Sequence, residues 1–394
     1  MASRSGDDPA VTLTDAQPDS GRPAPLLPER RTLQRLAGWY ATSRVVVWLA
    51  ILGGWALRPE LSLYAMVRRL DASWYLDIAR FGYSAQPATT AAIEAEGAAV
   101  LRGAFSPLWP LMIRVFRVPG VPLEVSATVL VTVLGFAVVV ASWVLVARLA
   151  GREAADRAAL MVSFFPGSVV FSIAYAEALM LCLAIGCLLA LQERRWSLAG
   201  LLAALASATR PNAIALVPAC AWAALVAIRR DGDWRSAIAP ALAPLGAVAF
   251  HGFLWWRTGR VDAWDLIQRN GWDEEVDFGA RTLERLGVLA RLGQPDPGTV
   301  LLGIGLLLGL IGAWALWRWR PPGELVIYAA GVVVLALIAR TLGPRPRFLL
   351  TALPLVWAFG VWLRGEWFRV ALLASSGGLA AAAALYIVGS AAKL

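Results

Sequence analysis

Residues 125–147 read VSATVLVTVLGFAVVVASWVLVA, 23 positions without a charged side chain, bracketed by Glu124 and Arg148. At 1.5 Å of rise per residue, a helix of that length crosses the roughly 30 Å hydrocarbon core of a bilayer. Similar apolar runs recur to the C-terminus. They predict spans at 38–57, 120–147, 157–174, 176–191, 197–209, 213–228, 237–256, 299–317, 325–343, 348–363 and 368–390. The chain is 59% hydrophobic with a mean hydropathy of +0.63, well above the roughly half-apolar content of soluble proteins, so the excess faces lipid. The reading is an all-α polytopic membrane protein with about 11 transmembrane helices, within a range of 10–12. Some runs, notably 197–209, are short for an untilted crossing. Pro166, Pro218, Pro240 and Pro244 fall inside spans, where neighbouring helices can satisfy the freed carbonyls.

Residues 1–30 are polar, aperiodic and rich in Asp, Ser, Pro and Arg, so they read as a disordered cytoplasmic tail. They lack the features of a secretory signal. Residues 31–394 read as a single transmembrane domain. Alternating the spans gathers the short connections 148–157, 192–196, 229–235, 318–324 and 364–369 on one side, with 12 Arg in 35 residues. The long segments 58–119 and 257–297 fall on the other, with 13 Arg in 103. The positive-inside rule then puts the Arg-dense turns and the N-terminus in the cytoplasm and both long loops outside, across a cell membrane.

The formal net charge of +9 does not argue for nucleic acid, because the arginines are scattered between apolar runs and form no basic face. Cys182, Cys187 and Cys220 lie inside spans without CxxC spacing, which indicates neither a zinc site nor a disulfide framework. The single histidine, His251, sits on an apolar span and is expected to make an interhelical hydrogen bond. No phosphate-cradling glycine loop or acidic nucleotide-sugar motif occurs, so no metal and no cofactor is expected. Tryptophans at 39, 55, 196, 234, 317, 319 and 367 flank spans as interfacial anchors do.

The first long loop carries the richest local chemistry: Leu70-Asp71-Ala72-Ser73-Trp74-Tyr75-Leu76-Asp77-Ile78-Ala79-Arg80-Phe81-Gly82-Tyr83. In a helix, Asp71, Trp74, Tyr75 and Ile78 share one face, while Ser73, Asp77 and Arg80 share another. An amphipathic helix resting at the headgroup level would have this pattern. So would a carboxylate acting as base on a sugar hydroxyl, with aromatic rings covering the sugar. Spacing alone does not choose.

This stretch resembles the WDAxWYLxIAxxGY signature of PIG-V-like mannosyltransferases of the GT-C superfamily. Further segments match the family's pattern in order. Phe105-Ser106-Pro107-Leu108-Trp109-Pro110-Leu111 resembles its FFPLYPL, and Phe164-Phe165-Pro166 through Tyr175-Ala176-Glu177 its FPxSxFFSAxYTES region. Thr209-Arg210-Pro211-Asn212 is similar to its TRPxG turn, and Pro346-Arg347-Phe348-Leu349-Leu350 to its PRYLL. The matches extend over residues 35 to 365, with departures at Ser106, Trp109, Ala213 and Phe348, where the pattern has Phe, Tyr, Gly and Tyr.

The resemblance implies a GT-C-like fold and transfer of mannose from polyprenyl-phosphate mannose to an acceptor hydroxyl on the non-cytoplasmic face. Asp71 is then the general base of an inverting displacement, with Asp77 and Glu177 in reserve. Trp74, Tyr75, Asp77, Glu177 and Gln268 are expected around the substrates, with Trp272 a weaker candidate. Arg347, Arg345 and Arg210, arginines in short outer turns where the positive-inside rule does not expect them, are expected to meet the donor phosphate through guanidinium forks. The partners implied are the lipid-linked sugar donor as co-substrate, a glycolipid, polysaccharide or protein acceptor, and membrane lipids. The competing class is a polytopic transporter or lipid flippase, which many spans with charged mouths would also describe. The missing internal repeat argues against it.

Overall fold

The computed structural model describes residues 28–388 apart from positions 59, 292, 293, 342 and 344. The tail expected over 1–30 therefore lies largely outside the described residues. Nineteen α-helices follow in order: α1 (Arg30–Ala56), α2 (Leu63–Val67), α3 (Asp71–Phe81), α4 (Thr90–Glu96), α5 (Leu108–Val115), α6 (Leu123–Ala150), α7 (Arg152–Phe164), α8 (Glu177–Gln192), α9 (Trp196–Ser207), α10 (Leu216–Asp231), α11 (Ile238–Leu242), α12 (Leu245–Thr258), α13 (Ala263–Trp272), α14 (Ala280–Ala290), α15 (Pro297–Trp319), α16 (Gly323–Ile338), α17 (Pro346–Thr351), α18 (Leu353–Trp362) and α19 (Gly365–Val388). The described residues hold no β-strand; one isolated bridge joins Val276 and Ala339. The all-α polytopic fold expected from the apolar runs is the fold found.

Six helical segments are long and apolar enough to cross a membrane: Arg30–Ala56, Leu123–Ala150, Pro211–Asp231, Trp234–Thr258, Pro297–Trp319 and Gly365–Val388. Four shorter apolar helices, α8, α9, α16 and α18, complete most of the expected set. The bounds of several spans need correction. The run 157–174 is not one helix: α7 begins at Arg152 and stops at Phe164, and Pro166 opens a 3-10 turn over Pro166–Phe171. The run 348–363 is split between α17 and α18 at Ala352, just before Pro354. Proline removes one intrahelical donor and clashes with the preceding turn, so each break falls where a ring sits.

The helices form a bundle with two unlike ends. At one end, short Arg-rich turns are tied by Arg148–Glu193 (2.7 Å), Arg35–Asp156 (2.8 Å) and an Arg194–Asp231 pair. Trp196 is buried there and donates to Asp233 Oδ2 at 2.8 Å, so it is not the interfacial anchor its position suggested. At the other end the two long loops pack together. Trp74 of the first loop meets Trp272 of the second, with ring centroids 5.4 Å apart. His251 also departs from expectation: it is exposed, and its Nδ1 pairs with Ala247 O of its own helix at 2.9 Å.

Inside the bundle, Arg44 on α1 is buried and, among the described residues, has no carboxylate partner. Its guanidinium donates instead to Ser168 O (2.7 Å), Ser163 O (3.0 Å), Ser172 Oγ and Ser168 Oγ (both 3.1 Å), while the Tyr40 ring lies 4.9 Å from its Cζ. Carbonyl and hydroxyl dipoles thus stand in for an anion around a charge that is costly at this depth. Arg44 clamps the 3-10 turn against α1, and that turn receives α17. A Cβ on Gly167 would lie 2.5 Å from Pro346 O and 3.0 Å from Arg347 Cα, so only glycine allows this approach. Arg44→Met is expected to lower the apparent melting temperature of the purified chain by roughly 5–10 °C, since it strands several charge-assisted bonds. Thermal unfolding in detergent, followed by size exclusion, checks it.

Candidate active site

Four charged side chains, distant in sequence, converge at the loop end. Asp71 opens α3 and Glu177 opens α8, so each carboxylate occupies the first turn of a helix, where the dipole favours negative charge. Arg347 sits in the first turn of α17, and Arg210 in the extended residue before the 3-10 turn Pro211–Ala215. The Arg347 guanidinium bridges the two acids: Nη2 donates to Asp71 Oδ2 and Nε to Glu177 Oε1. Arg210 Nη1 lies 3.0 Å from the same Glu177 oxygen. Glu177 is fully enclosed, with no exposed side-chain surface, and Arg347 is 8% exposed, whereas Asp71 keeps 26%. Asp71 is therefore the member of the group that opens to its surroundings.

Tyr175 lies under the group, its ring centroid 4.4 Å from Arg347 Cζ, and Phe348 lies at 5.5 Å. Two guanidiniums against two carboxylates make the cluster neutral. Its polar capacity is not used up within the chain. Among the described residues, Glu177 Oε2, the Tyr175 hydroxyl, Arg210 Nε and Asn212 Oδ1 are buried without a hydrogen-bond partner. Buried polar atoms are nearly always paired, so several unpaired ones in one place mark where polar ligand groups fit. Just before Asp71, Leu70 adopts φ 52° and ψ −134°. A non-glycine residue there stores on the order of 1–3 kcal/mol of backbone strain, which persists only where the surrounding structure imposes it.

The aromatic face read from the α3 spacing is present. Trp74 stacks on Phe105 (5.8 Å, 15°), and Tyr75 and Trp272 each meet Phe105 edge-on, at 5.1 and 5.6 Å. Burial, against the pull of Arg210, pushes the Tyr75 phenol above its ordinary range, so it stays a neutral hydroxyl. Beside the cluster opens a cavity of about 400 Å³. Asn212, Asp265, Gln268, Arg269, Glu274 and Glu275 supply its polar groups, and Phe348 with Val332 and Ala336 of α16 belongs to its apolar side. Its volume falls in the range of small-molecule sites, and its lining joins the Arg210 turn, α13, α16 and the Arg347 segment.

The expected site residues thus divide. Asp71, Glu177, Arg210 and Arg347 come together, Trp74 and Tyr75 lie on the α3 face beside them, and Gln268 lines the cavity. Asp77 does not join them. It occupies the other face of α3 and pairs with Arg68 at 2.5 Å, in a second network where Arg68 and Arg80 share buried Glu124 at 3.1 and 2.6 Å. Arg345 turns toward the start of α15, with Nη2 3.4 Å from Thr341 O. Burial, reinforced by Arg285 and Arg347, lowers its pKa to about 10, so it remains a cation at neutral pH. Tyr175, Phe105 and Asn212 lie within the motifs with no role that the sequence predicts, and Glu124 reads as no more than the edge of a span. Contact across the bundle, invisible in local spacing, gives them their significance.

Helix order, buried ion cluster and neighbouring cavity describe an all-α polytopic protein with one charged site at its loop end, and the family match below makes it a membrane glycosyltransferase. Residues 104–344 match the family model of glycosyltransferase family 87, and the chain belongs to that family. No curated protein matches the chain. Among solved structures, the crystal structure of ArnT from Cupriavidus metallidurans bound to undecaprenyl phosphate is similar in fold, with a TM-score of 0.53 and 15% identity, over 90% of this chain and 76% of that one. The crystal structure of the Archaeoglobus fulgidus oligosaccharyltransferase tethered with an acceptor peptide gives a TM-score of 0.43 and 13% identity, over 89% of this chain and 56% of that one. The PIG-V-like resemblance and this family assignment share the GT-C superfamily as common ground. Asp71 and Arg347 both lie outside the matched segment, so their importance rests on the geometry.

Proposed function

We propose that the chain transfers mannose from polyprenyl-phosphate mannose to an acceptor hydroxyl, with Asp71 as general base, on the non-cytoplasmic face of a cell membrane. The observation that carries this reading is Arg347, held between a partly open carboxylate and a closed one, next in the chain to Phe348 in the wall of a largely apolar cavity. A lipid-linked donor is favoured by that cavity, whose α16 wall suits the first isoprene units, and by the polyprenyl phosphate named with the similar ArnT structure. The Arg-dense turns at the opposite end of the bundle support an N-terminus in the cytoplasm.

In the proposed step the acceptor hydroxyl oxygen attacks the anomeric carbon while its proton passes to Asp71. The bond from that carbon to the phosphate oxygen breaks, and the phosphodiester monoanion leaves as a phosphomonoester dianion. The charges balance within the cluster. Protonating Asp71 leaves two guanidiniums facing one carboxylate, so a positive charge emerges beside the phosphate as it gains a negative one. Electrostatic groups aimed where charge develops are worth most in such a water-poor site. A single displacement inverts the anomeric centre. A retaining route would require a carboxylate nucleophile, and Glu177, enclosed and held by two arginines, is arranged to hold those arginines rather than to attack.

Membranes containing the full chain, supplied with labelled polyprenyl-phosphate mannose, glucose or pentose, test the function. The proposal expects label from the mannose donor in a new glycoconjugate, with the mannose in inverted configuration. Movement of intact donor across the membrane without a new glycosidic bond would instead identify a transporter. Filling the cavity with Ala336→Phe is expected to raise the donor KM about tenfold with a smaller change in kcat, because it removes binding space rather than chemistry. Initial rates over a donor titration check this.

A further inference from the structure

On the far side of α3 from Asp71, a second cavity of about 430 Å³ lies between α3, α5 and the start of α6, lined by Arg80, Phe81, Arg114, Arg117, Pro122 and Leu123. Arg80 is anchored by Glu124 at 2.6 Å, and Glu124 is shared with Arg68, which also holds Asp77. Arg114 donates to the carbonyl of Arg80 at 3.5 Å. Among the described residues no carboxylate pairs with Arg114 or Arg117, two of the three arginines that line the cavity, so the cavity is cationic.

Its surroundings fix its depth. Leu123 is the first residue of α6, and along that helix Val125, Val129 and Val133 are exposed at a spacing of four, one stripe of a membrane span turned outward. Phe81 lines the cavity and is exposed, as are Val115, Phe116 and Val118, which alternate in the chain with the lining residues Arg114 and Arg117. A cationic hollow at the end of a lipid-facing stripe, edged by apolar side chains, has the layout of a phospholipid: phosphate in the hollow, acyl chain along the valines. Guanidiniums suit phosphate oxygens through paired hydrogen bonds.

We propose that this cavity binds the phosphate headgroup of an anionic membrane phospholipid, at a site separate from the transfer site. The bound lipid fixes the C-terminal end of α3 at the membrane surface, about 13 Å along the helix from Asp71. It does not depend on the identity of the sugar donor.

The test uses the purified full chain, as wild type and as the Arg114→Gln/Arg117→Gln double variant, with native mass spectrometry of retained lipid in an equimolar mixture of phosphatidylglycerol and phosphatidylcholine. Both arginines are exposed, so the variant should fold, and an unchanged melting temperature confirms it. Arg229→Gln/Arg230→Gln, at the opposite end of the bundle, serves as the control. Wild type and control are expected to retain phosphatidylglycerol preferentially. The double variant should lose roughly thirty-fold in that preference, as two basic groups are worth at an anionic surface. Equal preference in the double variant overturns the proposal. So does displacement of the lipid by millimolar inorganic phosphate, which would make the cavity a site for free anions.

Discussion

Replacing Arg347 with alanine is expected to abolish sugar transfer and to lower the thermal stability of the purified chain at the same time. The guanidinium is the common partner of Asp71 and Glu177, so its loss leaves one carboxylate unpaired by it and the enclosed one with Arg210 alone. Breaking a buried charge group by removing one member costs about 3–5 kcal/mol, far more than the intact group contributes. Arg347→Lys separates the two effects. A single ammonium keeps the charge but cannot fork to both acids, so stability should largely recover while transfer stays at least ~100-fold down, in line with the loss of one preorganised donor. The paired change Glu177→Met with Arg347→Met should be more stable than Arg347→Ala and equally inactive. Activity in either of these backgrounds would remove Arg347 from the chemistry and leave it a structural clasp.

The second large effect is expected from Asp71→Asn, an isosteric change that retains an oxygen acceptor for Arg347 but cannot take a proton. A positioned general base contributes about 10²–10⁴-fold, so kcat should fall by that factor. Donor KM should move little, because the cavity lined by Gln268 and Phe348 is untouched. Stability should also change little, since Asp71 is the most open member of the cluster. A fall in donor affinity at constant kcat would instead assign Asp71 to binding.

The two predictions draw on different parts of the molecule's legibility. The run 125–147 could hardly be anything but a span, because uninterrupted apolar length is a physical requirement of the bilayer, and α6 follows it closely. The α3 face was legible for the same reason: helical spacing set Asp71 with Trp74 and Tyr75, and Asp77 with Arg80, and the structure keeps those groups apart. What spacing does not encode is which turn meets which. Asp71 and Arg347 are 276 residues apart, and before the bundle closed, Arg347 read as a phosphate ligand rather than the partner of two acids. Glu177 at a helix start and Arg210 in a short turn each stood out as costly charges near a membrane; only their contact explains how each is tolerated.

Other features were hidden by their surroundings. Arg44 falls inside the first apolar run, where a lone charge is swamped by its neighbours, yet it ties α1 to the turn that receives the Arg347 segment. Glu124 is the last charged residue before the run 125–147 and stands at the centre of a network with Arg68 and Arg80. The bends at Pro166 and Ala352 were invisible to a hydropathy reading, since a 3-10 turn and a helix break can be as apolar as the helices they join.

That the open carboxylate of the cluster carries the chemistry of transfer is the expectation on which the proposed function rests. It is tested most directly with membranes carrying wild type, Asp71→Asn or Asp77→Asn at equal abundance, supplied with labelled polyprenyl-phosphate mannose, by measuring label in new glycoconjugate. Wild type is expected to transfer label, Asp77→Asn, whose carboxylate serves the Arg68 network, to stay within about tenfold of it, and Asp71→Asn to lose at least ~100-fold. Equal transfer by wild type and Asp71→Asn, or loss in Asp77→Asn alone, would contradict it.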